Sequence, residues 1–96
     1  MSRLVLLTEG FTGRSFDLKA DRSTVGRLED NNFQIPAPSV SGHHCEILLK
    51  GNDVTVKDLD STNGTYLNER RMTKEDLIDN DKIRLGRTEL KFKSLE

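Results

Sequence analysis

Apolar residues along this 96-residue chain recur every second position or in short runs, and no long stretch keeps a helical period. "RLVLLTE" (3–9) and "RSFDLKA" (14–20) read as a first pair of strands, with Gly10 and Gly13 bracketing the turn between them. "STVGR" (23–27) predicts a short third strand. "NFQI" (32–35) predicts a fourth, stopped by Pro36 and Pro38, which cannot donate to a central ladder. "HCEILLK" (44–50) alternates Cys45, Ile47 and Leu49 on one face, and after a turn at "GND" the segment "VTVKDL" (54–59) sets Val54 and Val56 on the same face. The Asn63-Gly64 pair reads as a hairpin bend leading into a brief strand, "TYLN" (65–68). "KIRLG" (82–86) and "ELKFK" (89–93) close the chain as two strands joined at Gly86-Arg87. Only "TKEDLIDN" (73–80) suggests a helical turn, with Thr73 as N-cap and Asp76 three residues on. Many short strands split by Gly, Pro and Asn predict an all-β fold, a sandwich of two packed, mostly antiparallel sheets.

Composition narrows this picture. The length suits one domain, residues 1–96, with a single modest core. Hydrophobic residues make up 33% and charged residues 32%, so the core must be economical; the aromatics are Phe11, Phe16, Phe33, Tyr66 and Phe92. Fifteen basic against sixteen acidic residues lack the basic excess of a nucleic-acid binder, and no nucleic-acid partner is expected. The lone Cys45 excludes an internal disulfide and suits a reducing compartment. The apolar run Leu4 to Leu7 is too short for a signal-peptide core or a membrane span, so a cytoplasmic location without membrane contact is expected.

Catalytic readings are weak. Ser41, His44 and Asp58 or Asp60 contain the residue types of a hydrolase triad, but no G-x-S-x-G elbow exposes the serine. "HHC" (43–45) offers at most His43 and Cys45 to one side of a strand, with no second cluster to complete a metal site. No phosphate-cradling glycine loop of nucleotide-binding type is present, so neither an enzyme, a metal nor a cofactor is expected.

What remains is a set of polar loop residues: Arg27 after Gly26, Ser41 with His44 three residues on, and the turn-rich stretch "DLDSTNGTYLN" (58–68). Loops of a sandwich gather at the ends of its sheets. Sharing one end, these segments would offer a guanidinium, hydroxyls, an amide and backbone N–H groups, the donors an oxyanion takes.

From Gly26 to Asn68 the chain resembles a forkhead-associated (FHA) domain, a fold of the FHA/SMAD-like class. The family's order is Gly-Arg, then Ser-x-x-His, then Ser-x-Asn-Gly-Thr. It is matched here by Gly26-Arg27, by Ser41 and His44, and by Ser61, Asn63, Gly64 and Thr65, and "NDKIRLG" with "ELKFK" is similar to the family's closing strands. The resemblance implies a β-sandwich of about eleven short strands that binds phosphothreonine peptides through loops at one end. Arg27 and Ser41 would contact phosphate, Thr62 would add a hydrogen bond, and Asn63 would hold the peptide backbone. His44 would tie the Ser41 loop to its neighbour, Gly26 and Gly64 would supply backbone freedom, and Asn68 would support the next turn. Gly42 stands where family members often carry Arg, Lys or Asn, which implies either weaker phosphate binding or a backbone N–H in its place, and Glu69 stands where Gly is common, which implies a different turn geometry. The implied function is that of a signalling adaptor whose partner is a Thr-phosphorylated protein or peptide, a Ser/Thr kinase or its substrate. The alternative is an FHA-like scaffold or oligomerisation module that ignores phosphate.

Overall fold

The computed structural model describes residues 2–8 and 13–94, so Gly10 and Phe11 lie outside the described residues. Eleven strands run in chain order: β1 (Ser2–Leu6), β2 (Ser15–Leu18), β3 (Arg22–Gly26), β4 (Phe33–Gln34), β5 (Cys45–Lys50), β6 (Asp53–Asp58), β7 (Thr65–Leu67), β8 (Arg70–Met72), β9 (Lys74–Asp76), β10 (Lys82–Leu85) and β11 (Thr88–Ser94). Six form one sheet in the order β2-β1-β11-β10-β7-β8, and five form a second in the order β4-β3-β5-β6-β9. All pairings are antiparallel except β3 with β4.

The period-two pattern builds the core directly. Leu4 and Leu6, Ile83 and Leu85, and Leu90 and Phe92 turn inward from the larger sheet; Val25, Cys45, Ile47, Val54 and Val56 answer from the smaller one. The intervening positions point outward and most are half-buried or exposed, as expected of sheets packed on one side, with Glu46 buried against Arg22. At one edge, stacked rings of Phe16 and Phe33, 4.7 Å apart between centroids, join β2 of one sheet to β4 of the other. The segment between β4 and β5 also feeds the core: Ile35, Ala37 and Val40 are buried, which fixes a long connection against the end of the sandwich.

Three local expectations are corrected. The 73–80 segment makes no helical turn; Lys74–Asp76 is strand β9, in register with Lys57, Val56 and Thr55 of β6. The open edge of β6 supplies backbone partners that outweigh the weak local N-cap signal, and Leu77 buries beyond it. Asn63-Gly64 is not a hairpin bend, because β6 and β7 belong to different sheets and the 59–64 segment crosses between them. Arg70–Met72 forms a strand that its charged sequence conceals.

The β7–β8 connection is the hairpin. Its central residues, Asn68 (φ 48°) and Glu69 (φ 70°), both lie in the left-handed region that a two-residue type I′ turn demands. Asn68 suits that conformation, and its side chain fastens the turn to Asp81 and to the Lys82 N–H. Glu69 gains nothing comparable, and its 3.9 Å approach to Arg84 is solvent-exposed and worth little. Glu69→Gly is therefore expected to raise stability by about 0.5–1 kcal/mol. A urea-unfolding midpoint that stays put or falls would show that the turn stores no strain.

Candidate functional site

Strand direction decides which loops meet. The carboxyl ends of β3, β6 and β10 and the amino ends of β5, β7 and β11 lie at the same end of the sandwich. The loops bearing Arg27, Ser41 and Thr62-Asn63 therefore converge there. The first two are stitched by backbone bonds, Arg27 N–H to Ser41 O at 2.9 Å and Leu28 N–H to Gly42 O at 3.3 Å. Their approach is so close that a Cβ at position 26 would stand 2.2 Å from the Gly42 oxygen, and only glycine fits there. Buried Asn31 reinforces the contact, its amide Nδ2 donating to both Leu28 O and Gly42 O at 2.7 Å.

His44, wholly buried, links the second loop to the third. Its Nδ1 accepts the Ser41 N–H at 3.0 Å, so its Nε2 carries the proton and donates to the Gly64 carbonyl at 2.9 Å. The ring is held neutral: burial lowers its pKa below 6.5, outweighing the Gly64 bond and the Asp58 charge, which act the other way. Because both nitrogens are engaged with backbone, His44 does not serve as a base for the Ser41 hydroxyl, and the triad arrangement is absent.

The third loop is folded around Asp58. Its carboxylate accepts the Ser61 hydroxyl at 2.6 Å, the Thr65 hydroxyl at 2.7 Å and the Ser61 N–H at 3.2 Å, while Ser61 Oγ in turn accepts the Gly64 N–H at 3.1 Å. Burial pushes the Asp58 carboxyl up, but these hydrogen bonds and the nearby His44 bring it below the usual carboxylate range. Gly64 closes the loop at φ 87°, a conformation that favours glycine.

Arg27, Ser41, Gly42, Thr62 and Asn63 then line one open depression of about 230 Å³, together with Pro38, Ser39 and Val40. Arg27 is exposed, and its Nε donates to Val40 O at 3.2 Å, which aligns the guanidinium and leaves its terminal nitrogens toward solvent. Ser41 Oγ accepts the Thr62 N–H at 2.9 Å and keeps its own proton to donate. Asn63 Nδ2 donates to Ser39 O at 2.9 Å. Gly26, His44 and Gly64 sit behind this rim, whereas Asn68 lies at the opposite end of β7 and takes no part in it.

Pro38, Ser39 and Asn63 also belong to an adjoining groove of about 600 Å³, completed by Thr8, Ala37, Arg84, Gly86, Arg87 and Thr88. Ser39 is the hinge between the two hollows: its Oγ accepts the Arg87 N–H at 2.9 Å, and its carbonyl accepts from Asn63. The bracing by Asp58 and the contribution of Arg87 were not assigned from the sequence. The Asp-x-x-Ser spacing at 58–61 was a usable signal for the first; nothing local marks the second.

This arrangement defines a class of β-sandwich module that presents its recognition groups on loops at one end. Residues 23–86 match the family model of the FHA domain, and the chain belongs to that family. It is 38% identical over 79 residues to FHA domain-containing protein FhaA of Mycobacterium tuberculosis, covering 82% of this chain and 15% of that protein. It is 35% identical over 82 residues to the transcriptional regulatory protein EmbR of the same species, covering 84% of this chain and 21% of EmbR. The chain thus spans a small part of the length of these relatives. Among solved structures, one from a study of phosphothreonine-dependent FHA domain interactions superposes with a TM-score of 0.92 at 34% identity, covering 99% of this chain and 97% of that one. The FhaA FHA domain complexed with the intracellular domain of Rv3910 gives 0.90 at 34% identity, with 97% and 100% covered.

The neutral state required of His44 makes stability pH-dependent. Its folded pKa lies below the unfolded value of about 6.5, so the unfolded chain takes up the proton first. The contribution is complete above that value and is lost as pH falls through it, at up to about 1.4 kcal/mol per pH unit. Asp58 adds a second loss only in more acidic solution, beneath its ordinary value of 3.8. Urea unfolding of wild type and His44→Gln between pH 7.5 and 5 is expected to show a weaker variant with a shallower pH slope. Equal slopes would place the titration elsewhere.

Proposed function

We propose that the loop end of this domain binds a phosphothreonine-containing peptide and that the chain works as an adaptor assembled by a Ser/Thr kinase. The observation that carries the reading is the convergence of Arg27, Ser41, Gly42, Thr62 and Asn63 on one depression with no carboxylate in its lining. The Arg27 guanidinium supplies a fork for two phosphate oxygens. The Ser41 hydroxyl, already fixed by Thr62 N–H, donates to the phosphate, with the Thr62 hydroxyl beside it. Asn63, whose amide N–H is turned to Ser39, offers its carbonyl to the peptide backbone. Gly42 contributes a backbone N–H in place of a side chain.

FHA domains are binding modules, and the same holds for the chemistry here: recognition without bond making. Three or four charge-assisted hydrogen bonds at about 1.5–3 kcal/mol each, less ordering and desolvation, bring binding to the micromolar range, about −8 kcal/mol. The phosphate supplies nearly all of it, with about −1.5 to −2 charges and three acceptor oxygens. The peptide's flank enters the adjoining groove, whose ionisable lining residues are Arg84 and Arg87. Arg84 is already engaged with Gly86 O and the Tyr66 ring, which leaves Arg87 to meet an acidic flank.

Support also comes from relatives. EmbR of M. tuberculosis has been solved with a low-affinity phosphopeptide, and its structure superposes at a TM-score of 0.88 with 31% identity, covering 96% of this chain and 24% of that one. No helix among the described residues is long and apolar enough to cross a membrane.

Fluorescence anisotropy with degenerate phosphothreonine, phosphoserine and unphosphorylated peptide pools tests the reading. Saturable binding is expected for the phosphothreonine pool, weakened at least about tenfold by Arg27→Ala with an unchanged melting curve. Failure of every pool to bind a folded protein would leave a phosphate-independent scaffold. Within the phosphothreonine pool, acidic flanks are expected to be enriched and Arg87→Ala to remove that enrichment. A pool with no charge preference would take Arg87 out of the contact.

A further inference from the structure

Leu28, the residue after Arg27, is a large apolar side chain left 43% exposed at the rim of the depression. It lies over Gly42, which lines that depression. A Cβ at position 42 would stand 2.9 Å from Leu28 Cδ1 and 3.2 Å from Leu28 Cγ, so the leucine takes the space that a side chain there would enter. The main chain beneath it is fixed. Leu28 N–H donates to Gly42 O at 3.3 Å, and Leu28 O accepts the Asn31 N–H at 3.2 Å and the Asn31 amide Nδ2 at 2.7 Å. The apolar group is thus held at the rim by its own backbone rather than by burial.

Residues 38–42 all line the depression, and their order gives it two ends. Pro38 and Ser39 stand where it opens into the adjoining groove, which Val40, Ser41 and Gly42 do not line. Leu28, against Gly42, therefore borders the end away from the groove and from Arg87. The charges at this end are unlike those of the groove. Glu29 and Asp30 are exposed in the same loop, and the His43 ring is joined to Asp30 at 3.0 Å. Apart from Arg27 itself, no free cation of these two loops is left to meet an acidic ligand residue.

We infer that Leu28 selects an apolar side chain on the ligand, on the flank of the phosphothreonine opposite the one that meets Arg87. The inference rests on the phosphopeptide reading of the depression. A peptide anchored there, with one flank in the groove, carries its other flank past Gly42 and onto Leu28. An acidic residue in that place faces Glu29. A basic one gains only a solvent-exposed pairing with Glu29, which is worth little. An aliphatic one takes Leu28 out of water and leaves no polar group unpaired, since position 42 offers no side chain. Burying part of the exposed leucine against such a partner is worth about fivefold in affinity.

The test is an anisotropy titration of the whole chain with phosphothreonine peptides that carry Leu, Ala, Lys or Glu in turn at each position on either side of the phosphothreonine. Leu is expected to bind about fivefold more tightly than Ala on one side, with Glu favoured on the other. Leu28→Ala is expected to bring the Leu peptide down to the affinity of the Ala peptide without moving the melting curve, and Leu28→Met to keep the preference. Gly42→Ala pushes the leucine aside and is expected to weaken the preference, with no further loss when Leu28→Ala is added. Ile78→Ala removes an exposed apolar side chain from the β9–β10 loop at the opposite end of the sandwich and is expected to change nothing. No preference for Leu on either side, a preference that survives Leu28→Ala, or apolar and acidic preferences on the same side would overturn the proposal. Failure of every phosphothreonine peptide to bind would overturn the reading of the depression itself, and this inference with it.

Discussion

The site end of this sandwich depends on one buried imidazole. Two loops must be held together there, one leading into β5 of the smaller sheet and one crossing from β6 to β7 of the larger. His44 does this by accepting from Ser41 N–H on one nitrogen and donating to Gly64 O on the other. Few side chains offer an acceptor and a donor on opposite sides of a rigid, largely apolar ring. A hydroxyl is too short to span the gap, and a charged group would be desolvated there at a cost the nearby Asp58 carboxylate does not offset. Each bond also satisfies a backbone group that would otherwise be buried without a partner, a loss of roughly 1–3 kcal/mol apiece. Neutral imidazole is thus a structural requirement that burial itself enforces.

Everything on the rim inherits its position from that bridge and from the Asp58 cluster beneath the third loop. The division of labour is sharp. Asp58, Ser61, Thr65, Asn31 and His44 spend their hydrogen bonds inside the protein. Arg27, Ser41 and Asn63 each use one bond to fix orientation and keep other polar atoms facing outward. An anion bound there, as proposed, would meet donors whose geometry is already settled, so less ordering entropy would oppose binding. On that proposal, substitutions in the bracing set would act first on stability, and those on the rim first on affinity.

Much of this was legible in the sequence, for physical reasons that also mark the limits. Alternation exposed β1, β5, β6, β10 and β11, because a strand packed on one side must repeat every second residue. It failed for β8, where Met72 alone is apolar, and for β9, whose conformation comes from the edge of β6 rather than from Lys74–Asp76. Asn63-Gly64 carried a true turn signal, but whether the chain turns back or crosses to the other sheet is set by partners that local sequence does not name. The candidate rim was readable because Gly26-Arg27, Ser41, His44 and Asn63 keep a recognisable order. The contact of Arg87 with Ser39 was not, since it joins positions 48 residues apart. At Glu69 the absence of glycine pointed to a different turn geometry, yet the turn holds Glu69 in the left-handed conformation that favours glycine.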